Sequence, residues 1–145
     1  MTERQGETTA VPFALPVRVY YEDTDAGGVV YYANYLKYFE RARTEWLRAL
    51  GYSQQALIDQ RGLLFAVRSV QLEYLAPARL DDLLSVELRI ERVKRASLDF
   101  AQSIRRNDED AELCTAQVKV ACLEAERFRP AVIPDDIKES FRGEH

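Results

Sequence analysis

The hydrophobic period of this chain changes once, and that change limits what it can fold into. From about Ala33, apolar residues recur at three- and four-residue steps: Tyr35, Tyr38, Phe39, Ala42, Trp46, Ala49 and Leu50. That spacing predicts one long amphipathic helix. Lys37, Glu40, Arg41, Arg43, Glu45 and Arg48 fill most of its other positions, with Arg41 and Glu45 spaced for an i,i+4 contact. Gly51 is placed to end the helix. Ser53 is placed to cap a short second helix that runs to about Gln60 and stops at Gly62.

After Gly62 the period becomes two. Val70, Leu72 and Tyr74 alternate with polar neighbours, as do Leu84, Val86, Leu88 and Ile90. Leu98, Phe100, Gln102 and Ile104 form a third such set, and Cys114, Ala116, Val118, Val120 and Cys122 a fourth. Each reads as a half-buried strand. Pro77–Asp82 and Asn107–Asp110 have turn composition, and Lys94-Arg95-Ala96 reads as a tight hairpin. Upstream of the helix, Pro16 opens a further strand, Val17–Tyr21, and Glu22–Gly28 is a turn. Pro130 and Pro134 close the strand region, and a short helix follows to Phe141.

The order is therefore strand, long helix, then four antiparallel strands: an α+β chain in which one helix covers one face of a curved sheet. A single helix leaves strand edges and apolar surface uncovered, so an oligomer with sheets paired edge to edge is expected. A length of 145 residues suits one domain spanning the whole chain, with residues 1–13 as a flexible tail. The net charge of -4 argues against nucleic acid as a partner. No apolar run is long enough for a transmembrane segment, and the polar N-terminus lacks a signal core, which points to a cytoplasmic protein. Cys114 and Cys122 lie eight positions apart in one strand, about 26 Å and far beyond disulfide reach.

The chemistry gathers around Asp25. It sits between a strand and a helix start, beside Gly27 and Gly28. A carboxylate, helix N-terminal N–H groups near Val30–Tyr32 and a turn that admits close approach are the parts needed to attack a polarised carbonyl. Taken alone, Asp23, Thr24 and Asp25 are also ordinary turn residues, and a turn that caps the helix is the simpler reading of them. The segment fails as an EF-hand, because positions five and twelve from Asp23 are Gly27 and Asn34. No P-loop follows the two glycines. The one histidine, His145, is the last residue, which leaves no internal His for a triad or a metal site. Tyr31, Tyr32, Tyr35 and Tyr38 read as core or interface, with Tyr32 set apart by its place at the helix start. Lys94 and Arg95 form a small basic patch, either a solvated turn or a phosphate contact.

The stretch VRVYYEDTDAGGVVYYANYLKYFERARTEWLR, with YSQQAL, EYLAPARLDD and RASLDFAQSI further on, closely resembles the 4-hydroxybenzoyl-CoA thioesterase family. The likeness spans about residues 16–133 and is nearest to the YbgC-like acyl-CoA thioesterases associated with the Tol–Pal cluster of Gram-negative bacteria. It implies a hotdog fold, a long central helix wrapped by a curved five-stranded antiparallel sheet. It also implies a homodimer or homotetramer with active sites at the dimer interface, and hydrolysis of acyl-CoA without a metal or other cofactor. By the family pattern Asp25 is the catalytic carboxylate and the Tyr32 N–H the oxyanion donor. Gly27 and Gly28 admit the substrate, and Lys94 and Arg95 contact coenzyme A phosphates. Many YbgC-like members carry His at the position of Tyr32; a backbone donor survives that difference, whereas a His side chain's role does not. Acyl carrier protein is a further candidate partner, as is peripheral contact with the inner membrane or Tol–Pal. A non-catalytic acyl-CoA or acyl-carrier-protein binder is the alternative, and a His-dependent dehydratase ranks last.

Overall fold

The computed structural model describes residues 12–143; residues 1–11 of the expected 1–13 tail, and His145, lie outside them. Strand β1 (Phe13–Arg18) is followed by a 3₁₀ turn (Tyr21–Asp23), helix α1 (Asn34–Ala49) and helix α2 (Gln54–Arg61). Strands β2 (Leu63–Tyr74), β3 (Leu83–Val93), β4 (Ser97–Arg106) and β5 (Glu112–Glu124) then succeed one another. A two-residue β6 (Arg129–Pro130) and helix α3 (Asp135–Phe141) complete the order. All strand pairs are antiparallel, in the order β1-β3-β4-β5-β2, with β6 added to β5.

Helix α1 has about the expected bounds, but the end of its apolar face is rotated: Leu47 is buried, Trp46 and Leu50 are half-buried and Ala49 is exposed. The helix buries Tyr35, Tyr38, Phe39, Ala42 and Leu47, and the chain turns away at Gly51 with φ 99°. Ser53 Oγ accepts the Ala56 N–H at 3.1 Å and caps α2, which ends at Gly62 with φ 66°. On the sheet, Leu84, Val86, Leu88 and Ile90 of β3 and Leu98, Phe100 and Ile104 of β4 are buried. Trp46 meets Phe100 edge-on with ring centroids 5.3 Å apart, so truncating Phe100 to Ala is expected to cost about 3–5 kcal/mol. The polar member of the β4 set, Gln102, is also buried. Its amide donates to the Phe39 carbonyl at 3.1 Å and accepts from Arg43 at 2.8 Å, tying helix to sheet. Cys114 and Cys122 are both buried in β5.

Four further details differ from the sequence reading. β1 spans Phe13–Arg18 rather than Val17–Tyr21, so Phe13 leaves the expected tail and Tyr21 opens the 3₁₀ turn; Pro16 is tolerated inside β1 because, among the described residues, this edge strand pairs only with β3. β2 starts six residues before the visible alternation, because a register shift between Val67 and Ser69 breaks the period of two. The sheet gains a sixth, very short strand. Glu45 pairs with Arg48 at 2.6 Å, whereas the Arg41 guanidinium lies 5.8 Å from the Tyr38 ring centroid. No helix among the described residues is long and apolar enough to cross a membrane.

Candidate active site

The residues around Asp25 divide into a clamp and an open end. Asp23 belongs to the clamp. Its carboxylate accepts the Tyr20 N–H at 2.9 Å, and its carbonyl accepts both the Tyr31 N–H and the Asn34 side-chain amide at 2.9 Å. Thr24 Oγ1 donates to the Tyr21 carbonyl at 2.7 Å. Both side chains thus cap the 3₁₀ turn and leave α1 alone. The N-cap position of α1 is Ala33, which offers no side-chain acceptor. The Tyr32 and Ala33 N–H groups find no acceptor among the described residues. The turn is therefore not the helix cap that its composition suggested. The Asn34 N–H is taken by the Tyr31 carbonyl at 2.8 Å, so the open donors are the two just ahead of the helix, on the side where its dipole favours negative charge.

Asp25 stands beside this opening. Its N–H donates to the Val29 carbonyl at 2.9 Å, and its own carbonyl accepts the Gly28 N–H at 3.0 Å. Its Oδ1 accepts the Gly27 N–H at 2.9 Å, an Asx turn that fixes the carboxylate and leaves Oδ2 uncommitted. The turn closes only because Gly28 adopts φ 79°. Burial pushes the Tyr35 phenol pKa up, and the Ala78 backbone hydrogen bond opposes that push. The Tyr35 hydroxyl accepts the Ala78 N–H at 3.0 Å, and the Ala78 carbonyl accepts the Val30 N–H at 2.8 Å. This pins the β2–β3 loop against the segment leading into α1. Beneath the turn, the buried Tyr38 hydroxyl has no hydrogen-bond partner among the described residues. Burial first, then the nearby Asp23 carboxylate, drives its pKa upward.

An open cavity of about 310 Å³ adjoins the helix start, walled by Val30, Tyr32, Tyr35, Tyr74, Leu75 and Pro77. The Tyr74 hydroxyl reaches across it to the Tyr32 carbonyl at 3.1 Å. A second cavity of about 340 Å³ lies near the other end of α1, between Arg43, Trp46, Phe65, Phe100 and Phe141. Burial lowers the Arg43 pKa, and the Glu40 charge opposes that shift. From Asn34 to Arg43 the helix rises about 14 Å, so the two cavities of one protomer are separated along it.

The structure brings Asp25, Gly27, Gly28 and Tyr32 together in one turn and helix start. It does not bring Lys94 and Arg95 to them. Those residues occupy the β3–β4 hairpin, at the far end of a β3 strand about 33 Å long. The hairpin itself is closed by the Lys94 N–H on the Ser97 carbonyl at 2.8 Å, and Lys94 Nζ lies 3.4 Å from Asp99. Asn34, Tyr35 and Tyr74 were not legible as site residues. Tyr35 and Tyr74 carry an apolar ring at an apolar period, and nothing in the spacing reveals what the polar tip touches.

The sequence matches the model of the Thioesterase-like superfamily over residues 19–141. It is 49% identical over 129 residues to the acyl-CoA thioesterase YbgC of Haemophilus influenzae, covering 89% of this chain and 93% of that protein. It is 48% identical over 130 residues to the acyl-CoA thioester hydrolase YbgC of Escherichia coli O6:H1, covering 90% and 96%. A probable thioesterase from Bartonella henselae superposes with a TM-score of 0.79 at 36% identity, covering 86% of this chain and all of that one. The chain belongs to the thioesterase-like superfamily of hotdog-fold proteins.

Proposed function

We propose that this protein is an acyl-CoA thioesterase, releasing a free carboxylic acid and coenzyme A. The observation that carries the proposal is the pairing of an uncapped helix start with a fixed carboxylate that has one uncommitted oxygen. The thioester carbonyl oxygen sits against the Tyr32 N–H, which stabilises the oxyanion as the carbonyl carbon becomes tetrahedral. Asp25 Oδ2 acts in one of two ways. It attacks the carbonyl carbon, the C–S bond breaks, the coenzyme A thiolate takes a proton from water, and water then hydrolyses the mixed anhydride. Alternatively it removes a proton from a water that attacks the carbonyl carbon directly; the tetrahedral intermediate then expels the coenzyme A thiolate as the C–S bond breaks, and the thiolate takes the proton back from Asp25. The thiols are not rival nucleophiles. Burial raises the pKa of Cys114 to about 12 and of Cys122 to about 11, so both stay protonated at neutral pH.

The family likeness also supports a cytoplasmic homodimer or homotetramer, with a role near Tol–Pal. Strand β2 supports the oligomer independently: it is an edge strand whose Val67, Val70 and Tyr74 remain exposed. Pairing two β2 edges antiparallel about their middle brings Phe65–Val67 of one protomer toward the Tyr74 end of the other. The Trp46–Phe65 cavity of one copy then lies near the helix start of its partner and serves as an acyl pocket. Lys94 and Arg95 act on this site only from another subunit.

The test is a panel of acyl-CoA thioesters, with release of free thiol as the readout. Hydrolysis of at least one class well above the rate in solution is expected. Tight binding with no thiol released from any member would instead favour a non-catalytic acyl-CoA or acyl-carrier-protein binder.

A further inference from the structure

Three residues on adjacent extended segments line up beside the site. Asp25 donates to the Val29 carbonyl, Thr24 bridges Val30, and Val29 bridges Arg79, all antiparallel. Residues directly opposite each other in such a register project from one face, and their chain neighbours from the other. Asp25, Val29 and Arg79 therefore share a face. Thr24, Val30 and Ala78 share the reverse, where Val30 and Ala78 are buried. Two strand spacings put the Arg79 Cα about 10 Å from that of Asp25.

The backbone of Arg79 is tied down and its side chain is not. Its N–H donates to Asp82 Oδ2 at 2.8 Å and its carbonyl accepts the Asp82 N–H at 3.1 Å. Arg79 is exposed, and its guanidinium engages no acceptor among the described residues. Neighbouring arginines are committed. Arg18 donates to the Asp81 carbonyl at 2.8 Å, and Arg106 binds the Asp82 carboxylate at 3.0 Å and the Pro77 carbonyl at 2.9 Å. Glu22, Asp23, Asp25, Asp81 and Asp82 make this end of the sheet acidic. A polyanionic substrate needs a cation here, and the Lys94–Arg95 hairpin lies at the opposite end of β3.

We infer that Arg79 is the phosphate-binding residue of the site, receiving the nucleotide end of coenzyme A while the thioester rests at Asp25. The inference rests on the reading of the protein as an acyl-CoA thioesterase. The uncharged pantetheine arm runs over Val29, the half-buried residue between the two. The long Arg stem carries the charge outward, and the planar guanidinium matches two phosphate oxygens at once. In this pose one chain holds the coenzyme A portion from thioester to phosphate, without a basic group borrowed from another subunit.

Calorimetric titration of the full-length protein with coenzyme A and with pantetheine tests this directly. Wild type is expected to bind coenzyme A more tightly than pantetheine, by a margin that shrinks as salt is added. In a folded Arg79→Gln variant that preference falls about tenfold. An Arg79→Gln preference equal to wild type would overturn the inference. So would equal weakening toward both ligands, which marks a structural role, or loss of the preference only in a Lys94→Gln/Arg95→Gln variant. Thiol release is scored separately. A wild type that prefers coenzyme A through Arg79 yet hydrolyses no acyl-CoA contradicts the catalytic reading and leaves this one standing.

Discussion

The Tyr74 hydroxyl donates to the Tyr32 carbonyl across 3.1 Å, joining edge strand β2 to the start of α1. In a trans peptide the C=O and the next N–H lie in one plane and point in opposite directions. Holding the Tyr32 carbonyl therefore also aims the Ala33 N–H, the neighbour of the proposed oxyanion donor. Tyr74→Phe removes only the hydroxyl. We expect turnover to fall about tenfold, which corresponds to ~1.4 kcal/mol of barrier. The bond is exposed, so stability should change by no more than about 1 kcal/mol. Steady-state kinetics beside a denaturation curve separates the two effects, and wild-type turnover would contradict the positioning role.

Gly27 and Gly28 are expected to respond differently to the same methyl group. Gly28 has φ 79°, where an L side chain costs about 1–2 kcal/mol, and open space around it offers no relief. At Gly27 a Cβ would meet only Asp25 Oδ1, at an ordinary 3.4 Å. Gly28→Ala should therefore lose stability as well as turnover, and Gly27→Ala turnover alone. Urea unfolding of the two variants checks the split.

If the proposed β2–β2 oligomer forms, a charge on that edge should separate its subunits. Val70 is 37% exposed on a strand with no partner on its outer side among the described residues. A lysine there sets like charges against each other across a two-fold pairing and blunts the edge. Sedimentation of Val70→Lys should show monomers, with turnover lost in parallel if the acyl pocket comes from the partner. Unchanged mass would place the interface elsewhere.

The buried thiols give stability a dependence on alkaline pH. Burial raises the pKa of Cys114 from 9.0 to about 12 and that of Cys122 from 9.0 to about 11. Raised values mean that the unfolded chain releases these protons first. Their contribution is fully present below pH 9 and is lost as pH climbs toward 11 and 12. Unfolding free energy should fall across that window in wild type, and less steeply in Cys114→Ala. A thiol reagent at neutral pH should modify neither cysteine until the chain unfolds.

How much of this was legible depended on whether a residue's task is set by its neighbours in sequence. Helix α1 and the alternating strands follow from periodicity, which local sequence carries in full. So do Ser53 as a cap and Gly51 and Gly62 as helix stops, because each acts within a few positions of itself. Strand β1 was misplaced because an edge strand accepts Pro16, and the first half of β2 was hidden by the shift at Val67 and Ser69. Both are properties of pairing, which is non-local. At the site, the grouping of Asp25, Gly27, Gly28 and Tyr32 was readable because it is one continuous segment. The clamps Asn34–Asp23, Tyr35–Ala78 and Tyr74–Tyr32 span 11, 43 and 42 positions. No spacing rule reaches that far. The separation of Lys94 and Arg95 from Asp25 is likewise a matter of strand length and topology.

Replacing Asp25 by Asn tests the central claim most directly. Asparagine keeps an oxygen to accept the Gly27 N–H, so the Asx turn and the fold should persist. It lacks a second oxygen able to attack a carbonyl or take a proton from water. Single-substrate kinetics on an acyl-CoA hydrolysed by wild type should show turnover reduced by between about 10²- and 10⁴-fold, with an unchanged melting temperature. A folded Asp25→Asn protein that hydrolyses the same thioester at the wild-type rate would contradict the assignment of Asp25 as the catalytic carboxylate.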